Sequence, residues 1–289
     1  MRRLAIVLLT LATSSVAQDL SVTSTGHSVV HEAVLLDGAP YIEIPVGGVR
    51  GLFLFDTGAN VSGVDADWLA ANRIPYRTTD GGWVAGTTGS IPVTKAVFDR
   101  IDLGHGFFSD AVFNLQSFRH FAQPPGRQQI GLLGTDFINC YAVRFDYPRR
   151  RIELSLAGER LRPPATWVGV PVEYPYRLPT VRVRVGGVSI PCRLDSGATY
   201  RESRVHLDVN RAAYDAIRRA GVRLRRMGSI GVVGISGPEQ LPLYEGTNTN
   251  GIGLDFGPRR LSRVVLVVHD REIGVPAGIL INWRPGCLH

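Results

Sequence analysis

The sequence has 289 residues, of which 44% are hydrophobic and 20% are charged, and its formal net charge is +7. This balance is typical of a folded globular protein and excludes a disordered chain. Arginines scattered along the chain carry the positive charge, and no nucleic-acid-binding or zinc-binding motif lies among them. We therefore expect a solvated basic surface and no nucleic-acid partner.

Residues 1–17 have the features of a secretory signal peptide. Arg2 and Arg3 precede the short apolar run 4–12, and small residues lead to Ala17. The run is too short to span a bilayer comfortably. Cleavage after Ala17 would give an exported protein, periplasmic or secreted, that begins at Gln18 and has no stable membrane insertion after signal cleavage. An uncleaved anchor is the alternative.

Two segments of the chain repeat each other. Val46–Asn60 reads VGGVRGLFLFDTGAN, and Val185–Thr199 reads VGGVSIPCRLDSGAT. In both, a Val-Gly-Gly-Val sequence typical of a hairpin turn precedes a strand that ends at an aspartate, Asp56 or Asp195. The two motifs at one common spacing indicate an internal repeat.

The same series of elements follows each aspartate: a short helix, a glycine-rich hairpin and a closing apolar strand. The pattern predicts helices at 65–72 and 208–221, the second with Asp208 or Asn210 as N-cap, hairpins at 81–93 and 231–243, and closing strands at 130–138 and 277–283.

The repeat predicts two compact domains after the signal peptide 1–17. The first domain is 18–160 and the second is 179–289, joined by the proline-rich linker 161–178. Three cysteines, Cys140, Cys192 and Cys287, permit one disulfide, and the sequence leaves their pairing open.

At these residues the sequence resembles the pepsin-like and retropepsin-like aspartic proteases. The first half is similar to the retropepsin-like proteins of bacteria through FDTGANVSGVDADWL, GLLGTDFI and VRFDYPRRRIEL. The resemblance implies an all-β fold, mostly β with short helices, of two pseudo-symmetric acid-protease-like β-barrel lobes with a cleft between them. Since one chain carries both lobes, it implies a monomer acting as an intramolecular pseudodimer.

The resemblance implies that Asp56 and Asp195 form the catalytic pair. Two carboxylates held about 3 Å apart share one proton, because both cannot readily ionise. One can then act as general base on a water while the other protonates the scissile carbonyl oxygen. The residues expected to support these turns are Thr57, Gly58, Ser196 and Gly197.

In the same family a hairpin flap covers the substrate. The residues assigned to flaps are Trp83, Gly86, Gly89, Gly234 and Gly237. The second half departs from the family pattern, since Ile281 stands where the first half has Gly134, and this β-branched residue is expected to crowd the turn at Asp195. Neither hairpin supplies the tyrosine found in pepsin flaps.

The function implied is an aspartic endopeptidase that hydrolyses peptide bonds of exported or periplasmic proteins, through a water activated between two aspartates. Its partner would be a peptide or unfolded protein substrate, and no metal or organic cofactor is required. The first alternative is a catalytically inactive peptide-binding module with an acid-protease fold. The second is a first lobe that works only as an intermolecular dimer.

Overall fold

The computed structural model describes residues 7–8, 22–24, 28–156, 161, 163, 168–200, 205–247, 252–270 and 278–281. The chain divides into two compact units. The first unit comprises Ala5–Trp83 and Pro92–Ala165, and the second comprises Met1–Leu4, Val84–Ile91 and Thr166–His289.

The described residues of the first half form thirteen strands and two short helices. The strands are β1 Val7–Leu8, β2 Val22–Ser24, β3 Ser28–Glu32, β4 Val34–Leu36, β5 Ala39–Val46, β6 Val49–Phe55, β7 Gly63–Asp65, β8 Arg77–Gly86, β9 Gly89–Asp102, β10 Gly106–Gln116, β11 Gln129–Leu133, β12 Tyr141–Asp146 and β13 Arg151–Leu156. The helices are α1 Ala66–Ala71 and α2 Thr135–Ile138.

Six of these strands close a barrel in the order β10-β7-β11-β6-β5-β9, because β9 also pairs with β10. We call it the first barrel. Aromatic rings pack edge to face in its core, where Phe113 contacts Phe53 and Phe98. A separate sheet has the strand order β1-β12-β13-β3. Its strand β1 falls inside the predicted signal peptide.

The second half of the chain repeats this arrangement. Its strands are β14 Thr180–Val185, β15 Val188–Leu194, β16 His206–Asn210, β17 Leu224–Gly234, β18 Gly237–Gly246, β19 Ile252–Phe256, β20 Arg259–His269 and β21 Gly278–Ile281, and its helices are the 3₁₀ turn Pro175–Arg177 and α3 Arg211–Arg219. The second barrel closes in the order β20-β16-β21-β15-β14-β19. Two closed six-stranded barrels confirm the predicted fold class.

The Val-Gly-Gly-Val segments form the predicted hairpin turns. Gly47 and Gly48 join β5 to β6 with φ of 57° and 82°, and Gly186 and Gly187 join β14 to β15 with φ of 58° and 86°. Two successive residues with positive φ make a hairpin turn whose twist matches that of the strands, and glycine adopts this conformation without steric cost.

The predicted helices are confirmed, and the second N-cap is settled in favour of Asn210. Its side chain accepts a hydrogen bond from Ala213 N at 2.9 Å. Asp65 caps α1 in the same way, accepting from Trp68 N at 2.9 Å. The other candidate, Asp208, lies inside β16 and is buried.

The prediction of one continuous strand over 130–138 is wrong. The strand β11 ends at Leu133, and α2 follows at once. The chain turns at Gly134 because the Thr135 amide donates to Ala59 O at 2.8 Å, and Gly134 O then accepts from Ile138 N at 3.0 Å. Of the predicted strand 277–283, the structure shows Gly278–Ile281 as β21, and the flanking positions lie outside the described residues.

Among the residues that the structure describes, no helix is long and apolar enough to cross a membrane. Cys192 is a buried free thiol in β15, and burial raises its pKa above the ordinary thiol value. Cys287 lies outside the described residues.

Gly131 lies in the closing strand β11, at a position with no room for a side chain. A Cβ atom there would lie 2.6 Å from Gly63 O and would collide with the Phe53 ring. We expect Gly131→Ala to lower the free energy of unfolding by about 1–3 kcal/mol, because both neighbours belong to a packed core. Urea unfolding measures the change.

Gly82→Ala is the matched control, since a Cβ at Gly82 would meet no atom within 4 Å. We expect it to change the free energy by no more than about 0.5 kcal/mol. Equal losses in the two variants would contradict the packing role of Gly131.

Candidate active site

The first predicted catalytic residue, Asp56, lies directly after β6. This strand is buried from Gly51 to Phe55, and it runs between β5 and the parallel strand β11. Asp56 N donates to Leu133 O at 2.9 Å, which extends the pairing with β11 by one residue. The carboxylate accepts a hydrogen bond from Gly58 N at 2.8 Å, so the turn itself fixes its orientation.

The second barrel builds the same turn at Asp195. The strand β15 lies between β14 and the parallel strand β21, and Asp195 N donates to Leu280 O at 3.4 Å. One carboxylate oxygen, Oδ1, accepts from Gly197 N at 3.0 Å and from Ala198 N at 2.7 Å. Asp195 is buried, with 9% of its surface exposed.

The two residues that follow the aspartates, Thr57 and Ser196, are both buried. Their neighbours Gly58 and Gly197 supply the amide donors to the carboxylates. Each barrel thus brings its own predicted site residues together in one turn. The catalytic roles of these residues stay predictions.

A hydrogen-bonded clasp that sequence reasoning missed holds the loop after Asp56. Ser62 donates to Asp136 twice, from its amide at 2.8 Å and from its hydroxyl at 2.6 Å. The same hydroxyl accepts from Gly134 N at 2.8 Å. The clasp therefore joins the loop to the start of α2. The available signal was an acid three residues after the end of the closing strand and a serine directly before β7.

In the second barrel, different side chains hold the loop after the aspartate, and sequence reasoning missed them. We call this group the anchor. The register of β16 against β21 places Asp208 opposite Ile279, as Gly63 lies opposite Leu132 in the first barrel. Asp208 is buried and accepts from Tyr200 OH at 3.0 and 3.1 Å.

A buried histidine completes this anchor, since Nε2 of His269 lies 3.0 Å from Asp208 Oδ2. The ring of Tyr200 packs against His206 with 4.1 Å between the centroids. Burial and the neighbouring Asp208 raise the pKa of Tyr200 well above its usual value, so its hydroxyl stays a hydrogen-bond donor. The segment after Asp195 is thereby attached to the barrel core.

Ile281, the main departure from the family pattern, is accommodated in the second barrel. It belongs to a buried cluster with Tyr200 and Ile279, against which Ala198 packs. In the first barrel, a Cβ at Gly134 would lie 2.9 Å from Ala59 O. The loop that follows Asp195 is longer than the loop that follows Asp56, and the turn at Asp195 still makes its two amide bonds.

The predicted flap glycines bracket the tips of two hairpins. Gly86 ends β8 and Gly89 begins β9, while Gly234 ends β17 and Gly237 begins β18. Gly89 and Gly237 have φ of 139° and 108°, which favours glycine. Trp83 lies on β8 with 73% of its surface exposed.

The tip of the first hairpin, Val84–Ile91, belongs to the second unit. Within that unit, the amide and the hydroxyl of Ser236 donate to Thr88 Oγ1 at 3.2 and 2.9 Å. The two hairpin tips are therefore in contact. No group of three metal-binding side chains occurs among the described residues.

Part of the chain matches a protein-family model described as aspartyl protease, over residues 42–137. The first lobe, which contains these residues, belongs to the aspartyl protease family. The match covers the Asp56 turn, the first hairpin and the closing strand of the first barrel, and it confirms the resemblance inferred from the motifs. No curated protein matches the sequence.

Two solved structures are similar to part of this chain. A retropepsin-like aspartic protease from Rickettsia conorii is 18% identical, with 47% of this chain and 94% of that chain covered and a TM-score of 0.33. The EIAV protease complexed with the inhibitor HBY-793 is 20% identical, with 36% and 80% covered and a TM-score of 0.26.

The Ser62–Asp136 clasp can be tested by removing one hydroxyl. We expect Ser62→Ala to lower the free energy of unfolding by about 1–3 kcal/mol, because Gly134 N–H loses its acceptor in a buried place. Ser117→Ala is the control, since Ser117 is exposed and accepts only a 3.4 Å bond from Arg119 N. Urea unfolding of both variants gives the comparison, and a Ser62→Ala protein as stable as the control would refute the clasp.

Proposed function

We propose that the protein is an aspartic endopeptidase in which Asp56 and Asp195 act together on one water. The observation that carries the proposal is the similar construction of the two turns. In each barrel a buried strand, backed by a parallel closing strand, ends in an aspartate whose Oδ1 accepts backbone amides. The family of the first lobe supports the same chemistry.

The proposed reaction needs only the two carboxyl groups and a water. The ionised carboxylate takes a proton from the water as its oxygen attacks the peptide carbonyl carbon. The protonated carboxyl gives its proton to the carbonyl oxygen, so a neutral tetrahedral diol forms. In its collapse the C–N bond breaks, the carboxyl that took the water's proton gives a proton to the leaving nitrogen, and the other carboxylate takes a proton from a diol hydroxyl.

The proposed substrate is an extended segment of an unfolded or flexible protein. An extended peptide can pair with strand edges through its main chain, and the two glycine-tipped hairpins offer such edges. We further propose that the chain is exported, to the periplasm or outside the cell, and acts there as a monomer. The basic hydrophobic N-terminal segment supports export.

A second candidate is a peptide-binding module without activity. Ile281 favours it, because the second barrel has lost the glycine found at Gly134 in the first. The paired aspartates with their amide donors favour the enzyme. A third candidate, a dimer of first lobes, requires Asp56 and not Asp195.

The decisive experiment is cleavage of an unfolded protein substrate by the chain from Gln18, between pH 3 and 7. We expect Asp56→Asn and Asp195→Asn each to reduce the rate by about 10²-fold or more, since each removes one partner of the proton transfer. Asp67→Asn is the matched control, because Asp67 is an exposed acid of α1 paired with Arg119.

The outcomes separate the three candidates. Loss of cleavage in both variants, with Asp67→Asn at full rate, supports one site made by both lobes. Loss only in Asp56→Asn, with a dimer in sedimentation, supports the dimer of first lobes. A folded protein that cleaves nothing at any pH refutes the protease and leaves the binding module.

A further inference from the structure

A histidine in the core of the first unit makes no hydrogen bond through its ring. His105 lies in the turn between β9 and β10, and only 4% of its surface is exposed. Neither of its ring nitrogens has a hydrogen-bond partner among the described residues. Buried polar side chains are almost always hydrogen-bonded, so an imidazole in this state calls for an explanation.

The separate sheet covers the turn that carries this histidine. A Cβ atom at Gly104 would lie 3.3 Å from a methyl group of Val29 on β3, so the turn and β3 are in contact. The ring of His105 packs edge to face on the ring of Tyr141 on β12, with 5.1 Å between the centroids. His105 therefore lies between its own barrel and the separate sheet.

A second histidine, His31, comes from β3. Its register partner on β13 is the buried Ile152, and opposite residues share a face of the sheet. The charged neighbours Arg151 and Glu153 alternate with Ile152 and lie on the other face. Nε2 of His31 is buried and has no hydrogen-bond partner among the described residues. A charge on His105 lowers the pKa of His31, so the two rings are near each other. We call them the histidine pair.

We propose that the histidine pair is an acid-sensitive switch, which keeps the separate sheet attached to the first barrel only while both rings are neutral. A proton on either ring creates a cation in a buried place, and a second proton is repelled by the first. Acid should therefore loosen β3 from the turn after β9. The effect can extend to the Asp56 turn, because the preceding residue, Phe55, packs edge to face on Phe145 of β12 at 5.6 Å.

The groups that face His31 do not hold a proton on it. Burial lowers the pKa of His31, the charges on His105 and Arg50 lower it further, and the Leu103 backbone raises it by less. Burial also raises the pKa of Tyr141 above its usual value, so the phenol of this residue is neutral.

One carboxylate, Asp102 of β9, faces His105. It accepts hydrogen bonds from Arg100 at 3.0 Å and from the Gly104 amide at 2.7 Å, so it already has partners of its own. Burial lowers the pKa of His105 by more than the Leu103 backbone and Asp102 raise it. The pair is therefore neutral in the folded protein at pH 7.

The direction of the pH effect follows from the two lowered pKa values. Below the ordinary histidine pKa of 6.5, the unfolded chain binds protons that the folded chain does not bind. The stability that the neutral pair supplies is therefore fully present above about pH 6.5 and is lost as the pH falls below that value. Ordinary carboxyl groups titrate at about pH 4, so the range from about pH 5 to 6.5 reports on histidines.

The first test compares the urea midpoint of unfolding at pH 7 and at pH 5. The variants are His105→Phe, whose ring would pack on Tyr141, and His31→Leu, whose side chain would face Ile152. The control is His120→Gln, which changes an exposed histidine. We expect the wild type and the control to lose stability equally at pH 5, and each pair variant to lose about half as much, because one excluded proton remains. Equal losses in all four proteins would overturn the proposal.

A second measurement needs no variant and decides the proposal even where a variant does not fold. The imidazole NMR signals of both members of the pair should titrate below pH 6.5 in the wild-type protein. A member of the pair that titrates at or above that value would contradict the switch.

Hydrogen exchange assigns the effect to a segment, which is needed because the second barrel also buries His206 and His269. After correction for the intrinsic rate, β3 and β13 should lose protection at pH 5 relative to pH 7, and His105→Phe should keep it. Strand β14 serves as the control and should be protected alike at both pH values. Unchanged protection of β3 in the wild type would refute the proposal.

The switch goes beyond the proposed function, and the two can fail separately. If the protein cleaves peptides, His105→Phe should keep a larger share of its pH 7 rate at pH 5 than the wild type keeps. Equal shares would refute the link between the switch and the Asp56 turn. A protein that cleaves nothing would overturn the proposed function, while unfolding and hydrogen exchange still decide the switch.

Discussion

The structure depends on one backbone arrangement that occurs in both barrels. A strand that ends in aspartate lies parallel to a closing strand, and the aspartate amide donates to the closing strand's carbonyl, from Asp56 to Leu133 and from Asp195 to Leu280. This pairing leaves each carboxyl group at the end of a buried strand, where backbone amides can reach it. Helix position, loop anchoring and barrel closure all follow from the place of the closing strand.

The two barrels share this backbone and differ in the side chains that secure it. In the first, Ser62 and Asp136 tie the loop to α2 with short hydrogen bonds. In the second, a longer loop carries Tyr200 inward to a buried Asp208. The second solution places polar groups inside an apolar core, which is tolerated because each is hydrogen-bonded to the other. The departure at Ile281 is thus part of a different packing rather than a defect of the turn.

An asymmetric pair of lobes has a chemical consequence in the proposed enzyme. Two identical carboxyl environments share a proton without preference, as like charges held close together require. Leu54 precedes Asp56 in an apolar cluster, whereas Arg193 lies 3.9 Å from Asp195, so the two aspartates have different neighbours. One chain with two lobes can vary each half by itself, whereas a dimer of identical chains repeats every change at both aspartates.

The sequence alone determined the two-domain β architecture and most of its turns, helices and hairpins, because the motifs that predict them are local. The repeat of Val-Gly-Gly-Val and Asp-Thr/Ser-Gly predicted two equivalent β domains, and the turns, the helices and the hairpins lie where their short-range chemistry places them. The end of β11 was missed because Gly134 turns only when Ala59 O accepts from Thr135.

The tertiary structure alone decided which distant side chains meet. Asp136 contacts Ser62, Asp208 contacts Tyr200 and His269, and Arg193 lies 3.9 Å from Asp195. These contacts depend on strand register and barrel closure, which bring residues far apart in the chain to one place. No pattern of neighbouring residues encodes these contacts, so the sequence predicted the two aspartates and only the fold showed which side chains hold the loops beside them.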